Sequence, residues 1–401
     1  MAESLVPRAA ELEPLAEPAP DAGAAAAAAP QVKVVSVNCN LMPAGLLAVL
    51  TSGDLAERAA RLARALLRAH GVDTDLFYLM ELYDPPAREA LCAEFATAGW
   101  TFLYLDDPRC REDVSVGEIV DPPYKHSSGQ GVFFRERPAD WAGHAVAHVD
   151  RVHFWELGVR GAGPLEASVP KGFMRVRLQR SGGADALDFF CVHWQSEPLN
   201  YFPKARVEGL RQREGSARGT RRAQAQAMVR WIAEREGEGT AGSAPGVGRD
   251  RIFIGDFNVG RAECPRYGEE FAEVARTLSA VAGGGEGPGG LGLRSANAGR
   301  RVATIGSVDL GLFNKSHSKL IWGCGKLLYE HKDQQLDHAL VPERLAPRAR
   351  LGVFPVIDRG ADGAEISLPA VGWNSDDGSV QNPGQYDSLT DHEGIFLTVG
   401  V

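Results

Sequence analysis

The sequence predicts an α+β fold in which a two-layer β-sandwich is flanked by α-helices. Two patterns support this prediction: short apolar or alternating runs, which are typical of strands, and longer amphipathic segments, which are typical of helices. Of the 401 residues, 44% are hydrophobic and 24% are charged. This composition indicates a globular protein with a large buried core and excludes a disordered or fibrous chain.

Eight runs are interpreted as strands because they are short, apolar and bounded by polar or turn-forming residues. The first alternates valine with polar residues and ends near Asn38, and the second places five apolar residues between Asp75 and Glu81. The eight predicted strands cover residues 31–39, 75–81, 128–138, 172–178, 186–194, 251–258, 335–342 and 390–401.

Two segments have the periodicity of amphipathic helices. One runs from about Asp54 to a glycine stop at Gly71, and the other covers residues 216–236. Gly-rich tracts at residues 237–248 and 283–292 predict loops. Residues 1–31, rich in Ala, Pro and Glu, predict a disordered tail, and they lack the basic-then-apolar order of a signal peptide.

Charge and cysteine content narrow the class of protein. The formal net charge of −9 gives no general attraction to nucleic acid or anionic lipid, although a local basic groove is compatible with it. The six cysteines lack zinc-site spacing and are expected to be reduced. No apolar stretch approaches the roughly 18 to 20 residues that cross a bilayer, so we expect a soluble, intracellular protein without a transmembrane anchor. The sequence carries no signal for oligomeric state.

Polar residues lie at the ends of several predicted strands. If these strands share one sandwich, their ends converge at one edge of it. Taken alone, each residue also has a structural explanation, such as an Asx turn at Asp256 or a hydrogen-bonded core histidine at His193. Their joint occurrence therefore predicts a functional site. Its candidate residues are Asn38, Glu81, His193, Asp256, Asn258, Asp337, Asp391 and His392.

The order of these residues resembles that of the endonuclease/exonuclease/phosphatase, or DNase I-like, superfamily. The resemblance rests on Gly-Asp-Phe-Asn at residues 255–258 after an apolar strand, on an Asp-His pair at residues 391–392, and on the earlier strand-terminal Glu81. It spans residues 32–401. It implies one catalytic domain with four layers in the order α/β/β/α.

Within this superfamily, the chain is most similar to the neutral sphingomyelinase-like group. The similarity lies in Lys171 and Gly172 before a strand, and in residues 386–394 around the terminal Asp-His. Three positions depart from the superfamily pattern: residues 191–194 are Cys-Val-His-Trp where Asn-Thr-His-Leu is common, Thr390 replaces a serine, and His338 replaces a tyrosine. No position of a metal ligand is lost.

The resemblance implies a hydrolase that cleaves phosphodiesters with Mg²⁺, for which Mn²⁺ is an alternative ion. Such hard cations prefer carboxylate and amide oxygens. The implied metal ligands are Asn38, Glu81 and Asp391. The number of metal ions is left open.

The resemblance also implies roles for the other candidates. Asp256 would orient or deprotonate the attacking water, and Asn258 would donate to a non-bridging phosphate oxygen. His193 would stabilise the pentacovalent phosphorus, while Asp337 would fix His392 as a charged donor or general acid. Which group takes the proton of the water is left open.

Three functions of different classes are compatible with these residues. The first is phospholipase C-type cleavage of a phospholipid headgroup, as in sphingomyelinase. The second is a nuclease or nucleotide phosphodiesterase, for which the arginines at 206, 211, 213, 218, 221 and 222 offer the one dense basic cluster. The third is a catalytically silent binding protein of the same fold. The expected partner of either enzyme is a phosphodiester, either a phospholipid or a nucleic acid or nucleotide.

Overall fold

The computed structural model describes the strands and helices of the chain and the turns next to them. The predicted tail, most of both Gly-rich tracts, and the pair Asp391 and His392 lie outside the described residues. The described residues are 31–41, 55–105, 113–116, 128–137, 143–154, 171–180, 186–196, 217–237, 250–259, 265–281, 292–296, 336–354, 356, 368–369, 372–373, 380–381, 385–386 and 394–400.

The first of two main sheets has six strands. β1 pairs with β2 in parallel, and the other neighbours in this sheet are antiparallel. In spatial order the strands are β12 (Ala349–Phe354), β17 (Gly394–Gly400), β1 (Gln31–Leu41), β2 (Leu76–Leu82), β5 (Gly131–Phe134) and β3 (Thr101–Tyr104).

The second sheet has seven strands and is also mixed. β8 pairs in parallel with β9, as does β4 with β6, and the remaining pairs are antiparallel. In spatial order the strands are β10 (Leu293–Ser295), β11 (Asp337–Pro342), β9 (Asp250–Asp256), β8 (Ala186–His193), β7 (Gly172–Arg180), β6 (His144–Phe154) and β4 (Asp113–Val116).

Two small antiparallel pairs lie in the C-terminal part of the chain. β13 (Leu368–Pro369) pairs with β16 (Gln385–Tyr386), and β14 (Gly372–Trp373) pairs with β15 (Val380–Gln381).

Helices cover the outer faces of both main sheets. The described α-helices are α1 (Leu55–His70), α2 (Pro85–Thr97), α3 (Ala217–Gly237) and α4 (Pro265–Ser279), and a 3₁₀ turn, η1, covers Ala346–Arg348. Apolar side chains of α1 and α2 pack on the first sheet, and those of α3 and α4 pack on the second. A third apolar cluster fills the space between the sheets. The predicted α/β/β/α order of layers is therefore confirmed.

The helix α2 was not predicted from the sequence, although its start and its buried face have clear local causes. Asp84 caps it by accepting a hydrogen bond from the backbone N–H of Ala87, and prolines occupy its first turn. Its Phe95 packs against Phe77 and Trp100, with ring centroids 5.3 and 6.0 Å apart. Edge-to-face pairs of this kind contribute about 0.5 to 1.5 kcal/mol beyond their burial.

The eight predicted strands are all present, with shifted ends. The largest shift concerns the strand predicted over residues 128–138, which is described as a strand from Gly131 to Phe134, and the last strand, predicted from residue 390, is described from Gly394 to Gly400. Besides α2, the sequence reasoning missed α4 and several strands, of which β6 and β12 are the longest. Within the described residues, no helix is long and apolar enough to span a membrane.

The side chain of His70 at the end of α1 makes stability depend on pH. Its ring packs on Phe354 with a centroid distance of 4.2 Å, and its Nδ1 lies 3.3 Å from Nζ of Lys33. Burial, followed by the Lys33 ammonium, lowers the pKa of His70 from 6.5 to about 4. Between these values the unfolded chain binds a proton that the folded chain excludes, so the free energy of unfolding falls as pH falls.

We predict that His70→Phe removes this part of the acid sensitivity while keeping the aromatic packing. Urea unfolding at a series of pH values measures it. The free energy of unfolding of the variant, relative to the unchanged protein, should rise as pH falls from about 6.5 toward 4 and stay constant above pH 7. Two curves that remain parallel through this window would contradict the assignment.

Candidate active site

Three neighbouring strands of the second sheet, β8, β9 and β11, place polar residues in one row, next to Gly172 of β7. Gly172 of β7 pairs with His193 of β8, His193 pairs with Asp256 of β9, and Asp256 pairs with Asp337 of β11. The residues come from distant parts of the sequence, and only the register of the strands makes them neighbours. His193, Asp256 and Asp337 are all buried.

A hydrogen bond joins this row to the first sheet. Asn38 of β1 donates from Nδ2 to Oδ2 of Asp256 over 3.2 Å, and both side chains are buried. The backbone N–H of Asp256 also lies 3.4 Å from Sδ of Met80 on β2, and this thioether accepts the hydrogen bond. The two sheets are therefore linked at Asp256, which the sequence predicts to be a central residue of the site.

Glu81 and Lys171 both lie close to Nε2 of His193. Nε2 of His193 is 3.6 Å from Oε1 of Glu81, 3.9 Å from Oδ2 of Asp256 and 3.3 Å from Nζ of Lys171. The Glu81 side chain keeps 18% of its surface exposed, whereas His193 is fully buried. The site thus has a solvent-facing side at Glu81 and a closed side at His193.

Asn258 is held by two hydrogen bonds that orient it. Its backbone N–H donates to Oδ1 of Asp256 over 2.8 Å, so the predicted Asx-type turn is present. Its Nδ2 donates to the carbonyl oxygen of Trp194 over 3.1 Å. Because an amide group carries two N–H donors, one remains for the phosphate contact that the sequence predicts.

Strained backbone conformations coincide with the site. Asn40, Glu81 and Asn258 have φ values of 48°, 58° and 52°, and they are the described non-glycine residues with positive φ. Left-handed conformations are unfavourable for most side chains and are enriched at functional sites, where the surrounding structure holds them. Asn40 follows Asn38 in a bulge, where its N–H donates to Asn38 Oδ1 over 3.1 Å.

The structure brings together Asn38, Glu81, His193, Asp256 and Asn258, and it places Asp337 beside Asp256. Their chemical roles remain predictions. Asp391 and His392 lie outside the described residues, and so does the predicted contact between Asp337 and His392.

His338 points away from this site. Along β11 the side chains alternate, so Asp337 faces the site row and His338 faces α4. His338 donates from Nε2 to the carbonyl oxygen of Val259 over 2.7 Å, and its ring lies 4.5 Å from that of Phe271. His338 therefore packs under α4 and away from the site row.

Lys171 and Tyr78 were not among the predicted site residues. Lys171 is buried and reaches His193 because Gly172 starts a strand antiparallel to β8, a pairing that the sequence pattern does not reveal. The Tyr78 hydroxyl donates to Oε1 of Gln130 over 2.8 Å. Burial, and then the charges of neighbouring groups including Asp256, raise the pKa of Tyr78 well above its usual value. Tyr78 therefore stays a neutral donor beneath the site.

The chemistry of these groups fits a divalent cation. Glu81, Asp256 and Asp337 bring three carboxyl groups to this edge of the sandwich, and Lys171 brings one amino group. The oxygens of Glu81 and Asn38 are donors that Mg²⁺ prefers. In the described part of the chain, no group of three or more His, Cys, Asp or Glu side chains is arranged to hold a metal ion.

The fold and the arrangement of layers are those of DNase I-like proteins. Comparison with solved structures shows this fold, and the resemblance that the sequence predicted is thereby confirmed at the level of the fold. No protein-family model matches the chain, and no curated protein matches it.

Three solved structures illustrate the likeness. SmcL aligns with a TM-score of 0.58 at 16% identity, and sphingomyelinase C from Streptomyces griseocarneus with 0.56 at 17%. A variant of beta toxin from Staphylococcus aureus, crystallised with bound magnesium ions, aligns with 0.56 at 14%. Each alignment covers 92% of this chain and 99% of the other.

We predict that Gly255, which precedes Asp256, tolerates no side chain. Its φ is +135°, and an added Cβ would lie 2.1 Å from the carbonyl oxygen of Val192. Gly99 is the matched control, because its φ is +77° and an added Cβ there meets nothing within 4 Å. Gly99→Ala should cost about 1 kcal/mol of unfolding free energy, and Gly255→Ala more than about 3 kcal/mol, because backbone overlap adds to the dihedral strain. Equal costs in urea unfolding would contradict the geometry.

Proposed function

We propose that the protein is a metal-dependent phosphodiester hydrolase that cleaves a phospholipid headgroup in the manner of a phospholipase C. The observation that carries the proposal is the convergence of Asn38, Glu81, His193 and Asp256 at one edge of the sandwich. Asn38 and Glu81 come from the first sheet, and His193 and Asp256 from the second, so the site exists only where the two sheets meet.

The metal-binding role falls to Glu81 and Asn38, together with Asp391. A bound Mg²⁺ would supply neutralisation of phosphate charge and stabilisation of the leaving oxygen. The left-handed backbone of Glu81 turns its carboxylate toward the His193 ring at the solvent-facing side of the site. This is the side from which a substrate phosphate can enter.

Asp256 is the group best placed to act on the attacking water. Asn258 and Asn38 each donate to one oxygen of its carboxylate, which fixes the plane of the group. A carboxylate oxygen has more than one acceptor site, so each oxygen can still accept a proton or a hydrogen bond from water. In the proposed step the water oxygen forms the new bond to phosphorus, and its proton passes to Asp256.

In this proposal Lys171 supplies positive charge toward the phosphate, and His193 contacts the phosphate beside it. The two side chains lie within 3.3 Å of each other on the closed side of the site. Donors of this kind, fixed before the reaction, stabilise charge that develops on phosphate oxygens, and each is worth about 2.7 to 4 kcal/mol. As the bond to the leaving oxygen breaks, His392, the expected partner of Asp337, would give that oxygen a proton.

The choice of a lipid substrate over a nucleic acid is supported by the state of the arginine cluster. Arg221 is fully buried in an ion pair with Glu270, and Arg218 and Arg222 both pair with Glu273. Among the described residues of this cluster, two carboxylates of α4 therefore balance two of the three positive charges. Sphingomyelinase C, named above, has the same fold and acts on a phosphodiester in a lipid headgroup, which also supports the lipid.

A substrate panel tests the proposal. We expect hydrolysis of sphingomyelin or a lysophospholipid in detergent micelles with Mg²⁺, and its loss in EDTA. Asp256→Asn should lower kcat by about 100- to 1,000-fold, because it removes the proton acceptor while keeping its shape. Glu89→Gln is the control, because it neutralises an exposed carboxylate on α2.

Two outcomes would overturn the proposal in different ways. Cleavage of plasmid DNA or a dinucleotide, with no cleavage of lipid, would move the substrate to nucleic acids and leave the chemistry intact. Activity that survives both EDTA and Asp256→Asn would remove the mechanism.

We predict that Glu81→Gln weakens Mg²⁺ binding more than it weakens substrate binding. The variant replaces one carboxylate oxygen by an amide nitrogen at the solvent-facing donor. The Mg²⁺ concentration for half-maximal activity should rise by at least about 10-fold, because Mg²⁺ binds oxygen and the site loses one negative charge. Titration of activity with MgCl₂ measures this, and an unchanged half-maximal concentration would rule out Glu81 as a ligand.

A further inference from the structure

The two residues that follow His193 are held by hydrogen bonds at every one of their backbone N–H and C=O groups. The N–H of Trp194 donates to the carbonyl oxygen of Asp256 over 3.0 Å, and the carbonyl of Trp194 accepts from Nδ2 of Asn258 over 3.1 Å. These two bonds tie the segment to both residues of the Gly-Asp-Phe-Asn motif that the proposed chemistry uses.

The next residue, Gln195, is held from the opposite direction by two side chains of α3. Its N–H donates to Oε1 of Gln224 over 3.1 Å, and its carbonyl accepts from Nη1 of Arg221 over 3.0 Å. Gln224 and Arg221 are one turn apart on α3, and both are fully buried. Helix α3 therefore makes one side-chain hydrogen bond to the peptide unit on each side of Gln195.

Arg221 is itself fixed by a second helix. Its Nε donates to Oε1 of Glu270 over 2.6 Å, and its Nη2 donates to Oε2 of Glu270 over 3.1 Å, so the pair with α4 is bidentate. A planar guanidinium with all these bonds made in a buried setting has little rotational freedom. Its third bond, to Gln195, is consequently fixed in position by both outer helices.

We propose that Arg221 and Gln224 are positioning residues for the hydrolytic site. They lie in the helix layer outside the second sheet and act through Gln195 and Trp194. Through these residues they set the place of His193 at the end of β8 and the orientation of the Asn258 amide. This inference rests on the proposed function. It gives the buried polar side chains of α3 a role beyond holding α3 and α4 together.

The physical reason is that β8 ends at His193, and the backbone bond from Trp194 to Asp256 is the last described one that joins this segment to β9. A displacement of about 1 Å at such a point can cost about 100-fold in rate. Side-chain bonds from a packed helix replace the missing sheet partners. These bonds make no direct contact with Asn38 or Glu81, which belong to the first sheet.

The first experiment separates positioning from stability with three variants in α3. Gln224→Met keeps the length of the side chain and removes the acceptor for the Gln195 N–H. Gln224→Glu keeps an acceptor oxygen, and it loses nothing at the other atom, since Nε2 of Gln224 makes no hydrogen bond with the described residues. Thr220→Val is the matched control, because it replaces another buried polar group one turn earlier on α3.

We expect Gln224→Met to lower kcat by about 10- to 100-fold with KM and the Mg²⁺ requirement nearly unchanged. Gln224→Glu should restore kcat to within about threefold of the unchanged protein, and Thr220→Val should leave it alone. Each kcat is measured at a temperature where urea unfolding shows the variant fully folded. A folded Gln224→Met variant with unchanged kcat would overturn the inference.

The second experiment addresses Arg221 without leaving a buried charge unpaired. Arg221→Met alone would leave the buried carboxylate of Glu270 without its ion-pair partner and destabilise the fold. The double variant Arg221→Met with Glu270→Leu removes both charges, a change that proteins often tolerate. We expect the double variant to fold and to lose kcat by about 10- to 100-fold, because the Gln195 carbonyl has lost its donor. Full activity in this folded variant would show that the pair serves α3 and α4 alone.

The proposed function and the positioning role fail in distinguishable ways. If the unchanged protein hydrolyses none of the phosphodiesters in the panel, the proposed function fails. If it hydrolyses one and the α3 variants do so equally well, only the positioning role fails.

Discussion

The hydrogen bond from Asn38 to Asp256 joins the two sheets at the place where the sandwich core ends and the polar site begins. Both groups are buried, and a buried carboxylate without partners would cost several kcal/mol. A charge-assisted bond of this kind contributes about 1.5 to 3 kcal/mol. The relative position of the two sheets is therefore restricted, and the distances between site residues of different sheets depend on it.

The outer helices extend this constraint. On the side of the second sheet, Arg221 and Gln224 hold the chain beyond β8. On the side of the first sheet, Arg58 of α1 donates to the carbonyl of Asn40, just beyond Asn38. In each sheet, a strand end that carries a candidate residue is thus hydrogen-bonded by the helix packed on that sheet. A four-layer fold can stabilise loops at a site from both sides at once, which a bare sandwich cannot do.

The strands were predictable because their apolar character depends on the local sequence. A buried strand needs a short continuous apolar run, and residues such as Phe189 to Val192 supply one whatever else surrounds them. The helix α2 lacked so clear a signal. Its buried face is made partly of small or sulfur-bearing residues, Ala87 and Cys92, and it is recognisable only with the first sheet beneath it. Similarly, β6 carries charged residues such as Asp150 on its outer face, where Arg175 pairs with them.

The sequence by itself determined the fold class and the identity of the polar residues at the strand ends, because strand periodicity and motif order are properties of the linear chain. Tertiary structure alone decided which of them meet. It placed Lys171 beside His193, turned His338 away toward α4, and paired Arg221 with Glu270. These outcomes depend on strand order, register and the face that each side chain takes. Such properties arise from packing between distant segments, and no local pattern of residues encodes them.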